Sequence, residues 1–238
     1  MLKLLYPILA LLLSACSQDW SYSGANLPQN WGNIKEEYKF CKIGSNQSPI
    51  DVTSEFKDND LIFSYNFSEI DLKPERNFVK LSLYGKDFVK YRKKKYDVRY
   101  IEFHHPSEHL INGNAESLEM VIFHKSGDEQ WLALTIFFEL GQPNSEVATM
   151  IKLLQNGSTS NASSPRINLA KIVNFSDKIF FYDGSLTTPP CTEGIKRYIL
   201  ETPVAISKEQ MDKIIKLAIT TKDKFNARPV MPFNPSKY

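Results

Sequence analysis

A mainly β (α+β) single domain with a few surface helices is the fold class this sequence predicts, and three observations predict it. Residues 118–124 set Leu118, Met120, Ile122 and His124 against Glu119, Val121 and Phe123, which is strand periodicity. Trp131–Phe138 is an unbroken apolar run of strand length, suited to a strand buried on both faces. A chain of 238 residues that is 42% apolar, with 15 Phe and 11 Tyr, can fill one large core.

The elements follow in chain order. Lys3 precedes the apolar run Leu4–Leu13, and Ser14-Ala15-Cys16 follows. That is the n-region, h-region and cleavage pattern of a signal peptide over residues 1–15. The run is too short for a membrane span, which needs about 20 apolar residues. Leu13-Ser14-Ala15-Cys16 also matches a bacterial lipobox, in which Cys16 becomes the lipidated first residue of a mature domain, 16–238. The expectation is an exported, membrane-anchored bacterial lipoprotein on the periplasmic or cell-surface side. An ordinary signal peptide with an incidental cysteine is the alternative.

Cysteine usage agrees with export. The chain has three cysteines, and acylation of Cys16 leaves Cys41 and Cys191. An oxidising compartment favours a disulfide between them, with free buried thiols as the alternative. Such a bridge closes a loop of roughly 150 residues, worth about 5 kcal/mol in the chain-entropy treatment. Asn-x-Ser sequons at Asn46, Asn66, Asn156, Asn161 and Asn174 are read as chance matches, because the lipobox points to a bacterium.

Ile179–Tyr182 and Arg197–Leu200 are further strand candidates. Ser145 is placed as the cap of a helix with Val147, Met150, Ile151 and Leu154 on one face, ended by Gly157. Ser207-Lys208-Glu209-Gln210 fits a capping box ahead of the stripe Met211, Ile214, Ile215 and Ala218. Gly157–Pro165 reads as an exposed loop and Arg92–Lys95 as a solvated turn. Lys+Arg 29 against Asp+Glu 27 leaves a net charge of +2, which gives no electrostatic case for a nucleic-acid partner.

Four motifs occur in order: Gln47-Ser48-Pro49-Ile50-Asp51, Pro106-Ser107-Glu108-His109, Ser185-Leu186-Thr187-Thr188-Pro189-Pro190-Cys191 and Asn226-Ala227-Arg228-Pro229. Together they resemble the α-class carbonic anhydrases, especially the exported bacterial ones, from about residue 20 to 234. Trp20-Ser21-Tyr22 and Trp31 resemble that family's N-terminal aromatic cluster, and Cys41 and Cys191 stand where its disulfide does. The resemblance implies a central, largely antiparallel twisted sheet of about ten strands with a conical pocket leading to its middle.

The family's chemistry needs three neutral imidazoles on one zinc and a fourth position for water, whose pKa the metal lowers to about 7. With Pro-Ser-Glu-His in register, the first two ligand positions fall on Glu102 and His104. The third falls on Val121, which cannot ligate. Shifting the register by one brings in His105, but His104 and His105 are adjacent and point to opposite faces of a regular strand; a bulge would turn both inward and still leave Val121 at the third position. His109 and His124 resemble the family's buried structural histidines. All four histidines of the chain are accounted for here.

Other positions match the family more closely. Thr187 corresponds to the threonine that orients the metal-bound hydroxide, and Glu108 to the acid that accepts its proton. Glu119 corresponds to the acid behind the third ligand, and Leu186 and Thr188 to pocket walls. Lys86, after Gly85, is aligned near the family's Gly-His proton shuttle. A lysine with an ordinary pKa of about 10.4 shuttles poorly at neutral pH. Tyr100 stands for a usual Gln and Arg197 for a usual Trp.

Three readings follow. The first is a carbonic-anhydrase-like lipoprotein without zinc and without hydratase activity, binding a small polar ligand or a protein. The second is a working enzyme with zinc on a rearranged site of Glu102, His104, His105 and water. The third is another hydrolytic or lyase activity built on a Glu102–Glu108 dyad.

Overall fold

Among the described residues, most of the buried apolar side chains lie on one large twisted sheet. The computed structural model describes residues 20–57, 60–156 and 166–233. The leader, Cys16 and the loop expected over 157–165 lie outside those residues. Among the described residues no helix is long and apolar enough to cross a membrane.

The strands are β1 (Asp51–Val52), β2 (Leu61–Ser64), β3 (Phe67–Pro74), β4 (Val79–Tyr84), β5 (Phe88–Tyr91), β6 (Lys94–His104), β7 (Leu110–Ile111), β8 (Asn114–Ala115), β9 (Leu118–Ser126), β10 (Trp131–Leu140), β11 (Arg166–Asn168), β12 (Ile179–Ser185), β13 (Glu193–Leu200) and β14 (Val204–Ile206). The main sheet has 11 strands along the path β11-β3-β4-β6-β9-β10-β13-β12, with β14, β2 and β5 off it, while β1, β7 and β8 form a small separate sheet. Pairing is antiparallel along the path except between β10 and β13, and β14 also joins β10 in parallel. The sheet expected from the resemblance is present.

Both expected central strands are buried throughout their middles. Leu118–Phe123 alternates in chemistry rather than in exposure, because both faces of the sheet are covered. One face carries Leu81, Ile101, Ile122 and Leu134 against α2 (Ser145–Asn156) and α3 (Lys208–Ala218). The cap of α2 is Asn144, not Ser145: its Oδ1 accepts from the amides of Glu146 and Val147 at 2.9 and 3.1 Å. Asn carries its acceptor on a longer arm and reaches two amides of the first turn. The capping box of α3 is present as read, with Ser207 and Gln210 in reciprocal bonds.

Cys41 and Cys191 form a disulfide. It packs with Tyr22 and Trp31, and Trp20, Tyr22 and Trp31 meet edge to face at centroid distances of 5.2–5.7 Å. This is the aromatic cluster expected at the N-terminus of the domain.

His109 and His124 are structural. His124 Nδ1 donates to the Leu132 carbonyl at 3.3 Å, which leaves Nε2 to accept from the Tyr65 hydroxyl at 2.8 Å. His109 Nδ1 lies 2.8 Å from Glu119 Oε1, and Glu119 Oε2 accepts from the amides of Glu108 and His109 at 2.9 Å. Burial alone would raise the Glu119 carboxyl, but His109, by charge and hydrogen bond, holds it at about 2. Burial pushes His124 down to about 4, which its bond to Leu132 only partly offsets.

The His124 shift sets an acid limit on stability. Below its ordinary value of 6.5 the unfolded imidazole takes up a proton that the folded one refuses, until about pH 4. Stability is therefore lost as pH falls through that window, by on the order of 3 kcal/mol. Glu102, whose carboxyl burial raises, acts in the opposite sense, so the contrast is drawn against His124→Gln. Urea denaturation between pH 7 and 4 should show a steeper loss in the wild type than in that variant; parallel curves would contradict the assignment.

Candidate functional site

The pocket is built from rows of residues that run across the sheet. Leu81 opposes Ile101 and Ser82 opposes Tyr100, so one step further in the same register sets Lys80 opposite Glu102. Glu102 opposes Val121, Val121 opposes Thr135, and Thr135 opposes Ile199. A parallel row reads Tyr100, Phe123, Ala133, Arg197 and Tyr182. Directly opposed residues share a face, so both rows lie on the face turned away from α2 and α3.

On that face sits a pocket of about 380 Å³, lined among others by Trp20, Phe78, Lys80, Tyr100, Glu102 and Thr187. Leu186, Thr188, Glu75 and Arg76 also contribute to its wall. Glu102 is 4% exposed. Lys80 Nζ lies 3.6 Å from its Oε1 and 4.3 Å from the centre of the Tyr100 ring, which in turn stacks on Phe123 at 4.6 Å. Burial raises the Glu102 carboxyl, against the pull of Lys80, His104 and Arg197. A lysine ammonium therefore stands beside the carboxylate at the first expected metal-ligand position.

His104 occupies the second position and is fully buried. Its Nδ1 donates to the Asn226 carbonyl at 3.0 Å, and its Nε2 has no partner. Burial would lower this imidazole, but Glu108, Glu119 and Glu102 outweigh it and raise it. Val121, 1% exposed, fills the third position with an isopropyl group. One imidazole, one ion-paired carboxylate and one hydrocarbon do not fit the three neutral imidazoles of a hydratase zinc site. Among the described residues no group of three His, Cys, Asp or Glu is arranged to hold a metal.

His105 does not rescue the set. It turns to the opposite side of the strand, where its Nδ1 meets the Ser117 carbonyl at 2.6 Å and the ring lines a different groove. The rearranged site built on His105 is thus not assembled. The expected dyad is not assembled at the surface either: Glu102 lines the pocket, while Glu108 lies beneath it at 1% exposure.

Thr187 lines the pocket as expected, but the link to Glu108 is open. Glu108 Oε1 accepts from the Arg228 amide at 3.0 Å, and its Oε2 is buried without a partner. Leu186 and Thr188 are at the wall, as their motif implies. Glu119 is not; it is sealed against His109.

Lys86 is a correction. It is exposed in the turn between β4 and β5, at the end of β4 remote from the pocket. Roughly 15–20 Å of extended chain separates it from Lys80. The basic residue of that segment that reaches the pocket is Lys80. The alternation Leu81, Leu83 against Lys80, Ser82 marks a strand, but its register against β6 is visible only in the fold.

Arg197 is a second cation under the site. It is fully buried, its Nε and Nη2 donate to the Ser185 carbonyl at 3.0 and 2.6 Å, and its guanidinium lies 5.5 Å from the Phe123 ring.

Comparison with known proteins agrees with this framework. The family model for eukaryotic-type carbonic anhydrases matches residues 26–237. A carbonic anhydrase of Klebsiella pneumoniae is 30% identical over 220 residues, covering 90% of this chain and 88% of that protein. The α-carbonic anhydrase of Thermovibrio ammonificans, solved with sulfanilamide, superposes with a TM-score of 0.79 at 31% identity, over 91% of this chain and 96% of that one. A dioscorin solved with ascorbate gives 0.78 at 27% identity, over 90% and 94%. The chain belongs to the eukaryotic-type, or α-class, carbonic anhydrase family.

Proposed function

We propose that this protein is an exported, lipid-anchored member of the family that has no zinc-dependent carbon dioxide hydratase activity and uses its pocket to bind a ligand. The observation that carries the reading is the row Lys80–Glu102–Val121. A hydratase needs a metal there to make hydroxide at neutral pH. A complete structural zinc site contributes roughly 10–16 kcal/mol in small peptides, and the loss of two of its ligands removes several of them. Lys80 adds a positive charge within 3.6 Å of the carboxylate that a metal would share. Phe123 and Tyr100, stacked at 4.6 Å, fill space beside the same floor.

The relatives named carbonic anhydrase bear on the scaffold, and the residues at the three ligand positions bear on the chemistry. The dioscorin structure with ascorbate is consistent with a small polar ligand on this scaffold. The lipid anchor rests on Leu13-Ser14-Ala15-Cys16.

Two outcomes are expected. The mature domain, purified with added zinc and dialysed, should hold far less than one zinc per chain, and stopped-flow hydration of carbon dioxide should stay at the buffer background. Glu102→His with Val121→His, combined with Lys80→Met, should raise zinc to about one per chain, since three imidazoles then share one face. A stoichiometric ion in the wild type overturns the reading, and a triple variant that stays metal-free overturns the ligand positions. Separately, Cys16→Ser in the full chain should move the protein from the membrane to the soluble fraction of its host. Unchanged fractionation would contradict the anchor.

A further inference from the structure

We propose that the pocket is a binding site for a small planar carboxylate, held by the Lys80 ammonium at the floor and by the aromatic walls above it. This deepens the reading above and rests on it, because it gives to a side chain the cationic role that a metal would hold.

Lys80 sets its ammonium over the Tyr100 ring at 4.3 Å and leaves its hydrogen-bonding capacity unused. Its nearest acid, Glu102, stands at 3.6 Å, an ion pair but outside hydrogen-bond distance. Among the described residues no acceptor is hydrogen-bonded to its Nζ. An ammonium has three N–H donors, and the side chain is 25% exposed in a pocket whose volume is about 380 Å³. The donors of Lys80 are thus available to a second anion.

The shape of the pocket selects the rest of the ligand. Trp20 and Phe78 bring aromatic surface to its wall, while the Tyr100 ring is already engaged by Phe123 in a stack and by the Lys80 ammonium over it. Rings set among polar side chains favour a planar ligand that carries polar groups, since it orders at little entropic cost. Thr187 and Thr188 add hydroxyls that donate to a carboxylate and accept from a ring substituent. Arg76 and Glu75 stand together at the same wall, so Lys80 is the cation that distinguishes the pocket for an anion. A compact aromatic acid satisfies these demands together. A neutral aromatic meets only the walls, and a small inorganic anion meets only the ammonium.

Benzoate is the probe, with benzamide as its neutral counterpart. Calorimetric titration of the chelator-treated mature domain should give one saturable benzoate site, with benzamide at least about tenfold weaker, a gap of about 1.4 kcal/mol. Lys80→Met should weaken benzoate by a similar factor, while Lys80→Arg, which keeps the charge, should retain it. Lys80→Met/Glu102→Gln removes both members of the ion pair and guards against a fold strained by an unpaired carboxylate; it too should lose benzoate. Equal binding of benzoate and benzamide, full affinity in the folded methionine variants, or no saturation at all would overturn the proposal and leave the zinc-free reading intact. Binding that appears only with added zinc and vanishes with chelator would overturn both.

Discussion

A carboxylate placed on the floor of a closed pocket must find a positive charge, and Glu102 is that carboxylate. An isolated buried anion is costly enough that proteins pair it or neutralise it. In a hydratase of this family the positive charge of the same floor is a metal ion. Here it arrives on the neighbouring strand, because the register that sets Leu81 opposite Ile101 also sets Lys80 opposite Glu102. The departures meet at one place on the sheet. An acid at the first ligand position calls for the ammonium, Val121 removes the third donor, and His104 is left with one nitrogen on Asn226 and the other without a partner.

The framework persists for a separate physical reason. Arg228 donates to the Gln47 side chain and to the carbonyls of Ser48 and Cys41 at 2.7–3.0 Å, and Gln47 donates in turn to the Cys191 carbonyl. Asn226 holds the end of β6, donating to the Phe103 carbonyl and accepting from the His105 amide at 2.9 Å. Gln47, Ser48, Cys191, Asn226 and Arg228 belong to the motifs that make the family visible, and Arg228, Gln47, Ser48 and Cys191 are linked by these bonds. Removing one leaves buried donors or acceptors unpaired, at about 1–3 kcal/mol for each group. None of these bonds involves a metal. The scaffold can therefore keep its motifs while the pocket changes its chemistry.

That division explains what the sequence disclosed. The motifs are local and rigid, so Pro106-Ser107-Glu108-His109 fixes the register of β6, and Glu102, His104 and Val121 could be placed by counting. The same holds for the disulfide, for the capping box at Ser207, and for the central strands to within a few residues. Lys80 was not legible in this way. It sits in a segment with no motif, its partner lies 22 positions along the chain, and only the β4–β6 pairing joins them. Gly85-Lys86 offered a more familiar pattern and lies at the remote end of the strand. Arg197 was visible as a departure from the family, but its burial under Phe123 and its bonds to the Ser185 carbonyl need the fold to be seen. Asn144 displaced Ser145 as a cap by one residue, the scale on which side-chain reach decides between neighbours.

On the reading proposed above, Lys80 and not a metal supplies the cation of this pocket. Crystals grown in millimolar zinc, with diffraction recorded on either side of the zinc absorption edge, test it most directly. With Lys80 as the cation, no anomalous peak should lie within bonding distance of His104 Nε2, and the Lys80 side chain should be ordered beside Glu102. A full-occupancy peak bonded to His104 and Glu102, with Lys80 swung away, would contradict it.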